Sequence, residues 1–268
     1  MSHDPELFAG TAQYYARYRP PYPAELFEHL IAGFGLDDRC TALDLGCGTG
    51  QLALPLARKG IQVWAVDPDS DMLAEGYRAQ TAAESGIIRW ILGRGEDIRS
   101  LGPPPIRLCA MGASFHWMDR DLVLKALEEI VEPEGGIALV SGSASIFSAT
   151  AAVEGAWLEV TREVVTEFLG PQRRAGRGTY DHPQRTHEHV LLDSAFGRLE
   201  TRRFTTTRRL SIDEVIGQQL STSYASPVQL GDRLPQFRAE LASRLRQLDS
   251  AEAGFATVEH TDVIVARR

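Results

Sequence analysis

Leu43-Asp44-Leu45-Gly46-Cys47-Gly48-Thr49-Gly50 runs straight into Gln51-Leu52-Ala53-Leu54-Pro55-Leu56-Ala57-Arg58, and this junction decides the fold. A short apolar run, read as a buried strand, ends in a glycine-rich loop, after which the spacing turns helical. A loop of that kind lets backbone N–H groups face a ligand, because no Cβ stands in the way. The next apolar run, Ile61-Gln62-Val63-Trp64-Ala65-Val66, ends in Asp67. Strand, glycine turn, helix and a second strand closing on an acid make one half of a nucleotide-binding sheet.

The loop also says which nucleotides to set aside. A dinucleotide fingerprint needs glycine at the first, third and sixth positions of the turn. Here Gly46 and Gly48 start that pattern, but the sixth position is Gln51 and the remaining glycine is Gly50. A phosphate-binding P-loop is disfavoured as well, since no Gly-Lys-Ser/Thr follows.

Gly-x-Gly-x-Gly preceded by Asp44 instead resembles the first motif of class I S-adenosylmethionine-dependent methyltransferases. The resemblance extends to Phe8, Ala12, Tyr15, Tyr18-Arg19-Pro20 and Tyr22-Pro23, which are similar to the N-terminal pattern of the trans-aconitate methyltransferase-like (type 11) group. Ser114-Phe115-His116-Trp117-Met118-Asp119 resembles that group's Phe-His-Trp signature, and Glu132-Pro133-Glu134-Gly135-Gly136 its turn before the fifth strand. These matches cover roughly the first half of the chain. They imply S-adenosyl-L-methionine as cofactor and S-adenosyl-L-homocysteine as product. They also imply that the loop bends around the methionine end while Asp67 holds both ribose hydroxyls. The cofactor-binding set carried over is Tyr15, Arg19, Asp44, Gly46, Cys47, Gly48, Gln51, Asp67, Pro68, Met72, Gly95, Glu96 and Ser114. Arg94 departs from the pattern, standing where many relatives carry an adenine-binding Asp.

Composition bounds the rest. The chain has 268 residues, 43% hydrophobic and 24% charged, which suits one globular α/β unit carrying insertions. A net charge of −8 and a pI near 5.4 argue against a broad phosphate-binding surface and against nucleic acid as partner. Asn/Asp-Pro-Pro-Tyr/Phe is also missing after the fourth strand, which counts against base-amino methylation. No apolar run approaches the roughly 20 residues of a membrane span. Met-Ser-His-Asp-Pro-Glu lacks signal-peptide character, and Cys40, Cys47 and Cys109 have no metal spacing, so a cytoplasmic protein with reduced thiols is expected.

The pattern predicts strands at Thr41–Leu45, Val63–Val66, Ile88–Leu92, Arg107–Met111 and Ile137–Ser141, with helices at Gln51–Arg58, Ser70–Gln80 and Arg120–Val131. Ala24–Phe34 has helical spacing, and Pro20-Pro21-Tyr22-Pro23 forces an extended stretch before it. Alternation at this spacing argues for a doubly wound, mostly parallel sheet. After Ser141 the rhythm changes. One long helix is expected over Ala144–Leu169, a glycine- and arginine-rich loop over Gly170–Pro183 and a strand at Phe204–Leu210. Helices at Ile212–Leu220, opening at Ser211, and Leu234–Leu248 lead to a closing strand at Thr257–Arg267. The resemblance implies seven strands with the last antiparallel, a Rossmann-like core. The expected division is a cap over 1–38, a cofactor-binding core over 39–143 and a lid over 144–195. The core then finishes over 196–268, with a helical lid insertion at about 211–255.

Methyl transfer from a sulfonium is an in-line displacement, so alignment and a dry, closed site supply much of the acceleration. His116 is the candidate base, because an imidazole there could take the proton of an alcohol, phenol or ammonium. The alternative is that His116 and Trp117 merely wall the pocket. Trp117, Arg173 and Tyr224 are candidate acceptor contacts. Arg173, Arg174 and Arg177 could grip an anion, or form a solvated basic loop. Ser221, Ser223 and Tyr224 could line the pocket, or simply end a helix. Asp181, His182, His187, Glu188 and His189 fit no metal-ligand spacing and read as a solvated lid loop, so no metal is expected. The expected partner is a small-molecule methyl acceptor on oxygen or nitrogen. The rivals are a carboxylate acceptor, which needs no base, and a cofactor-binding protein without catalysis, which would lack an open acceptor cavity.

Overall fold

Thr41–Leu45 forms β1, buried at every position, which is why its sequence reads as a continuous apolar run around one acid. The computed structural model describes residues 7–83, 86–142, 146, 155–176, 178–179, 184–249 and 253–268. Before β1 come α1 (Ala12–Tyr18) and α2 (Ala24–Phe34), the latter ended by Gly35 in a left-handed conformation. After it come α3 (Ala53–Arg58), β2 (Gln62–Asp67), α4 (Ser70–Ala83), β3 (Ile88–Leu92), β4 (Ile106–Gly112), α5 (Arg120–Ile130) and β5 (Val131–Ser141). These five strands run parallel to one another.

The second half adds α6 (Ala156–Leu169), a two-stranded ladder of β6 (Arg174–Ala175) and β7 (Gly178–Thr179), α7 (His187–Leu192), β8 (Arg198–Leu210), α8 (Ile212–Leu220), α9 (Pro227–Leu230), α10 (Leu234–Leu248) and β9 (Phe255–Arg267). The main sheet has seven strands in the order β3-β2-β1-β4-β5-β9-β8, and β9 is antiparallel to both neighbours. This is the doubly wound Rossmann-like sheet with an antiparallel last strand that the sequence led us to expect.

Register explains how the fold makes room for a site. β9 pairs with β5 only from Ala266 back to Asp262, which sits opposite Ser141. It pairs with β8 over its whole length, from Arg267 opposite Arg198 to Phe255 opposite Leu210. Residues 255–261 and their β8 partners therefore project past the C-terminal end of β5, where an open α/β sheet binds its ligands. That projection carries α6, α8 and α10, which share a separate apolar core built from Val164, Val165, Val215, Leu220, Phe237 and Leu241.

Two differences from the sequence reading have physical causes, and one expected helix is described only in part. The helix expected over Ala144–Leu169 is seen from Ala156, after Gly155; the residues before Gly155, Ile146 apart, lie outside the described ones. β8 starts at Arg198 rather than Phe204, because its first half is an edge with mostly exposed side chains and no apolar alternation. The cap contains a helix, α1, that short polar-aromatic spacing did not announce. Among the described residues no helix is long and apolar enough to cross a membrane.

α8 begins as expected at Ser211. Its hydroxyl accepts from the Glu214 N–H at 3.2 Å, and the Glu214 carboxylate accepts from the Ser211 N–H at 2.8 Å. Loss of such a box costs about 1 kcal/mol. Ser211→Ala should lower unfolding stability in urea by about that amount with an unchanged m-value.

Candidate active site

Two buried acids hold the glycine loop from behind. Asp44, inside β1, turns Oδ2 to the Ala53 N–H at the start of α3, 2.9 Å away. Asp67, ending β2, accepts from the Gly48 N–H through Oδ2 at 2.8 Å and from the Asp69 N–H through Oδ1 at 2.9 Å. The Val66 carbonyl takes both the Gly46 and Cys47 N–H groups, at 2.8 and 3.0 Å. Desolvation pushes the Asp44 carboxyl up to about 7, its bond from Ala53 opposing. Burial likewise pushes Asp67 up to about 6, against the pull of its two backbone donors.

Gly46 is left-handed, at φ 71°, and a Cβ there would stand 2.4 Å from the Cβ of Ser114. Only glycine lets the two strand ends meet this closely. Ser114 in turn donates its hydroxyl to the Leu45 carbonyl at 2.7 Å, tying the end of β4 to the loop after β1.

In front of the loop lies a narrow slot. Tyr15, Gly46, Gly48, Asp67, Pro68, Met72, Gly95, Glu96, Ser114 and Trp117 are brought together around it. Asp44 and Cys47 line neither the slot nor the neighbouring cavity; Asp44 braces the loop, and burial pushes the Cys47 thiol well up. Glu96 accepts from the Asp119 N–H at 2.9 Å and meets Arg94 at 3.4 Å. Although its burial acts upward, these partners leave its carboxyl below the ordinary value. Arg94, the departure from the family pattern, is thus Glu96's ion-pair partner and also borders the slot.

The N-terminal cap closes over this slot. The Tyr15 ring lies above Gly48, with the Arg19 guanidinium 4.8 Å from its centroid and Phe8 edge-on at 6.2 Å. Burial raises the Tyr15 pKa while Arg19 opposes, so the phenol stays neutral. Arg19 Nη2 donates to the Ser221 carbonyl at 3.1 Å, whereas its buried Nε has no hydrogen-bond partner. Tyr18 lies flat against α8 at Gly217, where a Cβ would come within 2.3 Å of the ring.

Beyond Tyr15 and Ser114 the slot opens into a cavity of about 1410 Å³. Arg19, Gln51, His116, Trp117, Arg173 and Tyr224 all border it. Gln51 donates to the Thr49 hydroxyl at 2.8 Å. His116 sits in a single 3-10 turn, Phe115–Trp117, with its ring 4.5 Å from that of Trp117. Arg173 is 6.0 Å from the Tyr224 ring, and the Tyr224 hydroxyl donates to Gln219 Oε1 at 3.0 Å. Ser221 is the C-cap of α8, as one reading of that stretch had it; Ser223 is on the cavity wall.

The solvated-loop reading of the histidine cluster needs correction. His187 opens α7, packs 5.3 Å from Phe115 and borders the cavity with Glu188. Burial first, then Arg120, lowers the His187 pKa. Asp181, His182 and Arg177 lie outside the described residues, as does the side chain of Arg174. Among the described residues no cluster could hold a metal ion. Sequence reasoning also passed over Glu259, Thr257, Trp157 and Gln218, which border the same cavity. An alternation of Thr257, Glu259 and Thr261 on one strand face was the available signal.

Known proteins match this arrangement. A family described as a methyltransferase domain matches residues 42–135, the span from β1 through the start of β5. An uncharacterized methyltransferase of Mycobacterium tuberculosis is 28% identical over 246 residues, covering 90% of this chain and 84% of its own. The ubiquinone biosynthesis O-methyltransferase of Azorhizobium caulinodans is 29% identical over 157 residues, 53% of this chain and 60% of its own. The solved structure of a protein assigned as a type II methyltransferase, from Anaeromyxobacter dehalogenans, superposes with a TM-score of 0.65 at 25% identity. That match covers 94% of this chain and 98% of the other. These likenesses, together with the seven-stranded sheet, support reading the chain as a class I S-adenosylmethionine-dependent methyltransferase.

Its cofactor is S-adenosylmethionine, and the site's own features fit that molecule. The Asp67 carboxylate borders a slot walled by Pro68, Met72 and Trp117, and Arg19, with its unpartnered Nε, borders the adjoining cavity. Gly46→Ala should destabilise the chain by about 1–3 kcal/mol, as overpacked cores do. Urea unfolding checks this; a loss below about 0.5 kcal/mol would mean that Ser114 yields freely.

Proposed function

We propose that this enzyme methylates an oxygen or nitrogen of a small-molecule acceptor seated in the large cavity, with His116 taking the acceptor's proton. The observation that carries this reading is the cavity itself, which opens at the end of the slot where His116 stands. A protein that only bound the cofactor would have no use for such a space. Bound S-adenosylmethionine supplies a methyl group on positively charged sulfur.

The chain's residues have separable tasks in this proposal. Asp67 accepts the ribose hydroxyls, Arg19 pairs with the cofactor carboxylate, and Pro68, Met72, Gly95 and Glu96 border the adenine. Tyr15 and Phe8 exclude water, so that loss of charge at sulfur occurs in a dry site. His116, held against Trp117, receives the proton as the acceptor atom becomes a cation or sheds its hydrogen. The O-methyltransferase named for ubiquinone biosynthesis supports an oxygen acceptor. Three free cysteines, two of them buried, support a reducing, cytoplasmic setting.

A carboxylate acceptor is the second reading, favoured by the resemblance to the trans-aconitate group and by Arg19, Arg173 and Arg203 on the cavity wall. Against it, Arg203 is held by Asp262 through bonds of 2.6 and 2.7 Å, and Glu188 and Glu259 share that wall. His116→Asn separates the two readings. Turnover should fall about 100- to 10,000-fold for a hydroxyl or amine acceptor, with loss of the acid limb of the pH profile. An unchanged kcat would favour the carboxylate.

Calorimetric titration tests the cofactor roles directly. Asp67→Ala should weaken S-adenosylhomocysteine at least about tenfold, since hydrogen bonds to a charged group are lost. In the wild type, Asp67 must be ionised to accept two hydroxyls, so affinity is retained above its pKa of about 6. Affinity should fall about tenfold between pH 7 and pH 5. A flat profile would remove Asp67 from this role.

A further inference from the structure

The inward face of β9 reads Phe255, Thr257, Glu259, Thr261, Val263, Val265. Val263 and Val265 belong to the core beside α2 and α3, and Phe255 belongs to the lid core. Between the two cores the same face turns polar, with Thr257, Glu259 and Thr261 at 5%, 7% and 7% exposure, all bordering the cavity. A strand face buried on both sides normally carries branched apolar residues, and a carboxylate there is costly unless paired.

Glu259 is incompletely paired. Arg208 lies 3.6 Å away, beyond hydrogen-bond distance, and the same guanidinium meets Glu214 at 3.4 Å. One cation thus serves two carboxylates, and the cluster keeps one net negative charge. Burial pushes the Glu259 carboxyl up, and Arg208 restrains it. The arginine across the ladder, Arg203, is already taken by Asp262. A second observation points independently to an occupant. Trp157 is 8% exposed and borders this cavity, and its indole N–H has no hydrogen-bond partner; Gln218 Nε2 is a second unpartnered donor on the wall.

We infer that Glu259 is the specificity-determining residue of the acceptor pocket, and that it receives an ammonium group carried by the acceptor at the end remote from the methylated atom. This rests on the proposed acceptor role of the cavity. β9 stands two strand spacings, about 10 Å, from β4, whose end leads to Ser114 and His116, and His116 and Glu259 both border the cavity. An acceptor with a hydroxyl at one end and an amine at the other meets both. Recognition by a buried carboxylate discriminates strongly, because an occupant without the cation leaves the charge unanswered.

A matched ligand series tests this: tyramine, 4-(2-hydroxyethyl)phenol and 3-(4-hydroxyphenyl)propanoate share a phenol and differ only in the tail. Each is titrated calorimetrically into the protein saturated with S-adenosylhomocysteine. Tyramine should bind at least tenfold more tightly than either of the others. Glu259→Gln should erase that preference and Glu259→Asp retain part of it, with S-adenosylhomocysteine affinity the same in all three chains. Equal binding of the three ligands, no binding of tyramine, or a preference that survives Glu259→Gln would overturn the inference. The wild-type comparison needs no variant, so it decides the matter even if Glu259→Gln does not fold. Failure of S-adenosylhomocysteine to bind the wild type would instead strike the methyltransferase reading itself.

Discussion

The bond from the Gly48 N–H to Asp67 holds the functional end of this molecule together. It ties the loop after β1 to the tip of β2, and so fixes the direction in which the remaining loop atoms face. Asp44 makes the matching bond to Ala53 one strand over, anchoring the loop's far side to α3. Two carboxylates buried on adjacent strands would ordinarily repel and destabilise. Here each is held by backbone N–H donors, and those hydrogen bonds offset part of the cost of burial. Ser114 and Gly46 complete the arrangement by bringing β4 into contact with that loop.

The parallel half of the sheet was legible because burial on both faces writes continuous apolar runs, and glycines and acids punctuate their ends. Thr41–Leu45, Ile88–Leu92 and Ile212–Leu220 needed no revision of their bounds. β8 was half hidden. Arg198, Glu200, Arg202 and Arg203 are residues of an exposed edge, and only pairing to β9 makes them a strand. α1 was hidden for a different reason: it is short, and its stability comes from contact with α8 and the slot rather than from its own spacing.

The same division runs through the site. Local chemistry marked the glycine loop and Asp67, and the family resemblance marked the Phe115-His116-Trp117 turn, because each sits in a short contiguous motif. The cavity's remote wall came from residues far apart in sequence, among them Trp157, His187, Gln218 and Glu259. A histidine beginning a helix, or a glutamate inside a strand, carries no mark of what it will face until register and lid packing are known. Register was the missing quantity for β9, where one step along the strand exchanges Glu259 for His260.

Gly217 gives the cap and the lid a common fate. Because Tyr18 rests where a side chain would be, and Arg19 reaches the carbonyl of Ser221, α1 and α8 form a single shutter over two compartments. A displacement of α1 would therefore break its hold on the helix that borders the large cavity through Gln218 and Gln219, so the two walls keep or lose their shape together.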